Sequence, residues 1–90
     1  MIKITIELYG ATRDLSKENS IEIKMKKNST IKDIRLQLLK FIEQNFNGNE
    51  NFKKLIQNSV FCSDKDEIIY ENHKINQNQI VGIIPPIGGG

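Results

Sequence analysis

Residues 2–9 alternate without a break. Ile2, Ile4, Ile6 and Leu8 fall on one side of an extended chain, and Lys3, Thr5, Glu7 and Tyr9 on the other. A helix would scatter these residues around its circumference, so the two-residue period specifies a half-buried strand. The β-branched side chains agree with that reading. A strand with one apolar face needs hydrogen-bonding neighbours and a layer to cover it. Ile21, Ile23 and Met25 alternate with Glu22, Lys24 and Lys26 and predict a second strand, antiparallel to the first. The connection from Gly10 through Asp14 to Asn19 is long for a hairpin. It carries Arg13 and Leu15, and Leu15 is placed to fold back onto the core.

The covering layer comes next. Asn28-Ser29-Thr30 is a helix start, with Ser29 or Thr30 as N-cap, and Asp33 completes a weaker form of the capping box. Ile31, Ile34, Leu38, Phe41 and Ile42 recur at helical spacing as one apolar stripe. Lys32, Arg35, Gln37, Lys40 and Glu43 fill the other face. The breaker cluster Asn47-Gly48-Asn49 ends a helix that starts at Thr30 and runs to Asn45. The following stretch to Asn58 is polar, with Phe52, Leu55 and Ile56 suggesting a short second helical turn. Val60-Phe61-Cys62 reads as a third strand, Asp64-Lys65-Asp66 as its turn, and Ile68-Ile69-Tyr70 as a fourth strand. After a turn at Asn76-Gln77-Asn78, Ile80-Val81-Gly82-Ile83-Ile84 is apolar nearly throughout, the pattern of a central strand buried on both sides. The order strand, strand, helix, strand, strand, strand predicts an α+β architecture, one mixed sheet covered by one main helix.

With 90 residues there is material for one small domain and none for a deep private active site. The net charge of +2, from 13 Lys and Arg against 11 Asp and Glu, is too small to argue for nucleic acid. One cysteine, Cys62, allows no internal disulfide and fits a reducing cytoplasm. The alternating start is not a signal peptide, and no stretch approaches the ~18 apolar residues of a membrane span.

The segment richest in chemistry is Ile84-Pro85-Pro86-Ile87-Gly88-Gly89-Gly90. Pro85 and Pro86 lack backbone N–H groups and fix φ, so they end the sheet ladder and launch an extended tail. Three residues without side chains can thread a narrow channel whose walls approach the backbone. From Pro86 to Gly90 the reach is at most about 16–18 Å. The chain is thus read as a domain over residues 1–87 and a flexible Gly-Gly-Gly tail over 88–90. The α-carboxylate of Gly90, ionised at neutral pH, is a poor electrophile until activated. Adenylation by ATP is the economical route. With no phosphate-binding Gly-rich loop of its own, the chain binds no cofactor on this reading, and a partner would hold the ATP. Taken alone, a triple-glycine end is equally compatible with a frayed terminus.

Set in this order of elements, the ending resembles the β-grasp sulfur carriers related to ubiquitin, and above all the small subunit of molybdopterin synthase. Leu8-Tyr9-Gly10-Ala11-Thr12-Arg13-Asp14-Leu15 is similar to that family's aromatic-x-Ala-x-x-Arg-x-Leu stretch after the first strand. Ser29-Thr30-Ile31 is similar to its Thr-Val helix start, and Ile83-Ile84-Pro85-Pro86-Ile87-Gly88-Gly89-Gly90 to its apolar-Pro-Pro-x-x-Gly-Gly ending. Pro-Pro is the most specific element, since the tails of thiamine sulfur carriers and of the ubiquitin-related modifier lack it. The chain departs from the pattern at Asn76-Gln77-Asn78, where the family has Gly-Asp, and at Gly88, often another small residue.

The resemblance implies a β-grasp fold and a non-catalytic sulfur-donor subunit. A ubiquitin-activating-type enzyme would adenylate Gly90, and a sulfur donor would convert it to a thiocarboxylate. Pro85, Pro86, Ile87, Gly88 and Gly89 would form the tail that enters the large subunit of molybdopterin synthase. There the sulfur would reach cyclic pyranopterin monophosphate in molybdenum-cofactor biosynthesis. Three other readings stay open: a ubiquitin-like modifier conjugated to lysines through Gly90, a carrier for thiamine or tRNA thiolation, and a plain interaction domain.

Other residues carry weaker signals. Cys62, in a strand, reads as a small buried hydrophobe more readily than as a persulfide relay. His73 stands alone in a polar stretch without metal-ligand spacing. Asp64, Asp66 and Glu67 lack the further ligands of a calcium loop. No metal site is expected.

Overall fold

The structure, a computed structural model, describes residues 1–86. The expected tail residues Ile87, Gly88, Gly89 and Gly90, and with them the boundary between domain and tail, lie outside the described residues.

The alternating start forms β1, Ile2–Leu8, with Ile2, Ile4, Ile6 and Leu8 all buried. β2, Ser20–Met25, pairs with it antiparallel, Ile4 facing Ile23. Leu15 does return to the core. It ends a 3-10 helix, Gly10–Leu15, where an open loop was expected. Thr30 rather than Ser29 is the N-cap of α1, Ile31–Phe46. Its hydroxyl accepts from the Asp33 N–H at 3.2 Å, and the Asp33 carboxylate accepts from the Thr30 N–H at 2.9 Å. Hydrogen bonding to the ionised carboxylate holds the Asp33 carboxyl below its ordinary range. Asn47, in the left-handed region at φ 53°, closes the helix where the breaker cluster placed its end. Ile31, Ile34, Leu38 and Ile42 are fully buried, while Phe41 is partly so.

The expected helical turn after this is a nine-residue helix, α2, Glu50–Asn58, capped by the Asn49 side chain. The edge-on ring contact of Phe46 with Phe52, at 5.0 Å between centroids, holds α2 against α1. Then follow β4, Val60–Cys62, and β5, Ile68–Ile69. β6, Lys74–Ile75, pairs with β3, Ser29–Thr30, in a two-residue ladder that no local pattern announced. β7, Gln79–Ile84, completes a five-stranded sheet of order β2-β1-β7-β4-β5. β7 runs parallel to β1 and antiparallel to β4.

Two sequence expectations need correction. β7 is central, as its composition implied, but it is not buried on both sides. Val81 and Ile83 face the helices and are fully buried, whereas Ile80 and Ile84 are 45% and 40% exposed. The reason is architectural: helices cover only one face of this sheet. The second concerns Arg35, assigned above to the solvent side of α1. Its side chain is only 17% exposed and folds back onto the molecule. Its Nη1 donates to the carbonyls of Ile56 at 2.6 Å and Ser59 at 2.8 Å. The guanidinium also pairs with Glu71 and lies 5.0 Å from the centre of the Phe61 ring.

Candidate functional site

The site begins with the strand that leads into the tail. β7 is hydrogen-bonded on both sides, with Val81 beside Ile6 and Ile83 beside both Leu8 and Phe61. Every one of these five side chains is buried. The chain therefore leaves the sheet from its best-anchored strand. Ladder pairing stops at Ile84, and the prolines that follow, lacking an N–H, cannot extend it. Pro85 is half-buried and Pro86 exposed, so the expected tail segment Pro85-Pro86 sits at the surface.

Two neighbours fix the surroundings of this point. On the helical side, Pro86 lines a groove of about 610 Å³ together with Ala11, Asp14, Phe52 and Leu55. On the other side lies the uncovered sheet face. The register places Val60 opposite Ile84, and Cys62 opposite both Gly82 and Ile68. Val60 and Ile68 are 43% and 56% exposed. With Ile80, Ile84 and the half-exposed ring of Tyr9 they form an apolar surface beside the tail root.

The segment Tyr9–Leu15 borders that root and is rigidly built. The Tyr9 carbonyl accepts from both the Thr12 hydroxyl, at 2.5 Å, and the Thr12 N–H, at 3.2 Å. Thr12 is fully buried, a polar core residue that the sequence reading passed over. The Tyr9 hydroxyl donates to the Glu7 carboxylate at 3.0 Å, and this contact pushes the phenol above its ordinary value. Gly10 has φ +55°, and a Cβ there would stand 3.0 Å from Cγ of Pro85. A Cβ on Gly82 would stand 2.9 Å from both Sγ of Cys62 and the Tyr9 ring.

Cys62 is buried, 6% exposed. Burial pushes its thiol pKa up, against a smaller lowering by hydrogen bonding to the Gly82 backbone. It is a protonated core thiol at neutral pH and a poor relay nucleophile. His73 contributes its carbonyl, which accepts from the Ile31 N–H at 3.1 Å at the start of α1. Among the described residues no three metal-ligating side chains converge. None of their helices is long and apolar enough to cross a membrane. Gly90, Gly89, Gly88 and Ile87 lie outside the described residues, so the site seen here is the root and its frame.

Comparison with solved structures bears on this frame. The protein described as molybdopterin converting factor, subunit 1, of Pyrococcus furiosus superposes with a TM-score of 0.69 at 15% identity, over 97% of this chain and 100% of that one. Small archaeal modifier protein 1 of Haloferax volcanii gives 0.69 at 11% identity, again over 97% and 100%. Another Haloferax volcanii protein, solved in solution, gives 0.70 at 16%, over 99% and 87%. The fold is the ubiquitin-like β-grasp. No protein-family model and no curated protein matches the chain in sequence. At these identities the likeness is one of fold. The β-grasp domain of this chain carries its Pro-Pro root at the end of the central strand.

Proposed function

We propose that this protein is a sulfur carrier that works through Gly90, whose carboxylate is adenylated by a partner enzyme and then converted to a thiocarboxylate. The observation that carries the reading is the union of a β-grasp domain with the ending Pro85-Pro86-Ile87-Gly88-Gly89-Gly90 on its central strand. In the first step a carboxylate oxygen of Gly90 attacks the α-phosphorus of ATP and pyrophosphate leaves. In the second a sulfide equivalent from a sulfur donor attacks the carbonyl carbon and AMP leaves. The domain contributes no catalytic side chain. It presents the tail and a surface for partners, and its groove and uncovered sheet face flank the root on both sides.

The substrate we assign to the thiocarboxylate is cyclic pyranopterin monophosphate, with the large subunit of molybdopterin synthase receiving the tail. The Pro-Pro element and the Pyrococcus furiosus neighbour favour this assignment. The second reading, a modifier linked through Gly90 to lysines of target proteins, is favoured by the Haloferax volcanii neighbour and shares the adenylation step. Intact-mass and peptide mass spectrometry of the protein purified from its native cell tests both. Replacement of one oxygen by sulfur at Gly90 supports the carrier. Isopeptide-linked lysines with no sulfur adduct would replace it with the modifier.

A further inference from the structure

Two glycines bring three parts of the surface together in a way that the anchoring of β7 does not demand. Gly82, on the uncovered face of β7, lacks the Cβ that would strike the Tyr9 ring and Sγ of Cys62, each at 2.9 Å. Tyr9 can therefore lie against the sheet, tethered through its hydroxyl to Glu7 on the neighbouring strand. The next residue, Gly10, turns the chain at φ +55° and offers bare backbone to the Pro85 ring, where a Cβ would come within 3.0 Å of Cγ. The contacts run in series from Gly82 to Tyr9, from Tyr9 to Gly10, and from Gly10 to Pro85. The Thr12 bonds to the Tyr9 carbonyl hold the turn from behind.

We propose that Gly82, Tyr9 and Gly10 form a seat for Pro85 that sets the direction in which the tail leaves the domain, making Gly10 and Gly82 positioning residues for the reaction at Gly90. The proposal rests on the carrier reading given above. Its physical basis is the poverty of the tail in side chains. Gly88-Gly89-Gly90 has no anchors of its own, so a partner that grips the domain meets the carboxylate only if the root aims it. A proline held against bare backbone is a stiff pivot. A Cβ at residue 10 adds strain in the left-handed region and pushes the ring aside. A Cβ at residue 82 displaces the half-exposed Tyr9 ring outward and also presses on Sγ of the buried Cys62.

The test is a steady-state loading assay with the adenylating enzyme of the source cell, ATP and sulfide, read by intact mass. Four chains are compared: wild type, Gly10→Ala, Pro85→Ala and the double variant. Gly10→Ala should lower kcat/KM roughly ten- to a hundredfold, the scale of an ångström's misplacement. The loss should fall on kcat with KM held, because the domain surface still binds. In the Pro85→Ala background, which removes the struck atom, the same change should cost less than about twofold. An unchanged kcat/KM for Gly10→Ala, or an equal loss in both backgrounds, overturns the seat.

An enzyme-free readout runs beside it: nuclear Overhauser contacts between Gly10 Hα and the Pro85 ring protons in the full chain. They should be present in wild type and weakened in Gly82→Ala, with the core pattern of α1 intact. Their absence in wild type, or persistence unchanged in Gly82→Ala, also overturns the proposal. If Pro85→Ala alone abolishes loading, this second readout decides. A wild-type chain that never loads refutes the carrier reading instead, and the ring contacts still judge the seat.

Discussion

Replacing Arg35 with Ala separates two accounts of how its side chain stabilises the fold. One is a surface ion pair with Glu71. The other is capping of two carbonyls that end α2. Glu71 is half exposed, and exposed ion pairs contribute about 0–1 kcal/mol. The carbonyls of Ile56 and Ser59 receive Nη1 at 2.6 and 2.8 Å beside the fully buried side chains of Ile56 and Phe61. Hydrogen bonds from a charged donor contribute about 1.5–3 kcal/mol each, and they share one guanidinium, so they do not simply add. Contact with the Phe61 ring adds about 0.5–1 kcal/mol. Arg35→Ala should therefore cost about 2–4 kcal/mol, and Glu71→Gln less than about 1 kcal/mol. A domain of 90 residues has a total of about 5–13 kcal/mol, so the variant should still fold. Urea titration followed by circular dichroism measures both at a common slope. Lysine should not rescue, since a single ammonium cannot span both carbonyls and Glu71. A cost below about 1 kcal/mol for Arg35→Ala would refute the capping account. So would a Glu71→Gln cost equal to it.

Leu38→Ala, at a fully buried position of α1, should cost about 2–5 kcal/mol in the same titration; less than about 0.5 kcal/mol would place the core elsewhere. Thr30→Ala should cost about 1 kcal/mol through the lost cap. Because folding lowers the Asp33 carboxyl below its unfolded value near ~3.9, its contribution is full above that pH and fades as pH falls through the folded value. Asp33→Asn should flatten that acid limb of a stability–pH curve, and an unchanged limb would assign it to other carboxylates. Ile80→Glu, on the uncovered face, should weaken binding of the partner proposed to take the tail while leaving the melting curve close to wild type; unchanged affinity in calorimetry would free that face of the proposed role. Deleting residues 88–90 should spare most partner binding and abolish sulfur loading, and loss of binding would mean that the tail holds the complex.

The parts of this fold that were legible in the sequence are those decided by neighbours along the chain. The alternation of Ile2, Ile4, Ile6 and Leu8, the box of Thr30 and Asp33, and the helix end at the Asn47-Gly48-Asn49 cluster are each local and each appear where expected. What failed depends on distant partners. A helical wheel puts Arg35 on the solvent side, because only the fold brings the end of α2 and Glu71 within its reach. The apolar run of β7 cannot say which face a helix will cover, so Ile80 and Ile84 looked buried. The ladder between Ser29–Thr30 and Lys74–Ile75 is two residues long, too short to leave a period. The tail motif was legible as a motif, whereas the meeting of Gly10 with Pro85 was not, since nothing local links the two.

The placement of the root has a mechanical consequence. A tail leaving an edge strand would share that strand's tendency to fray, and its direction would wander with the ladder. Here the strand before Pro85 is paired on both sides, and its inward residues Val81 and Ile83 are fully buried. Loosening the root would mean opening two ladders and the core together, which ties it to the global stability of the domain. The same strand exposes Ile80 and Ile84 on the uncovered face, so under the proposed function anchoring and partner recognition would share one element. A partner that presses on this face therefore also bears on the strand that carries Pro85.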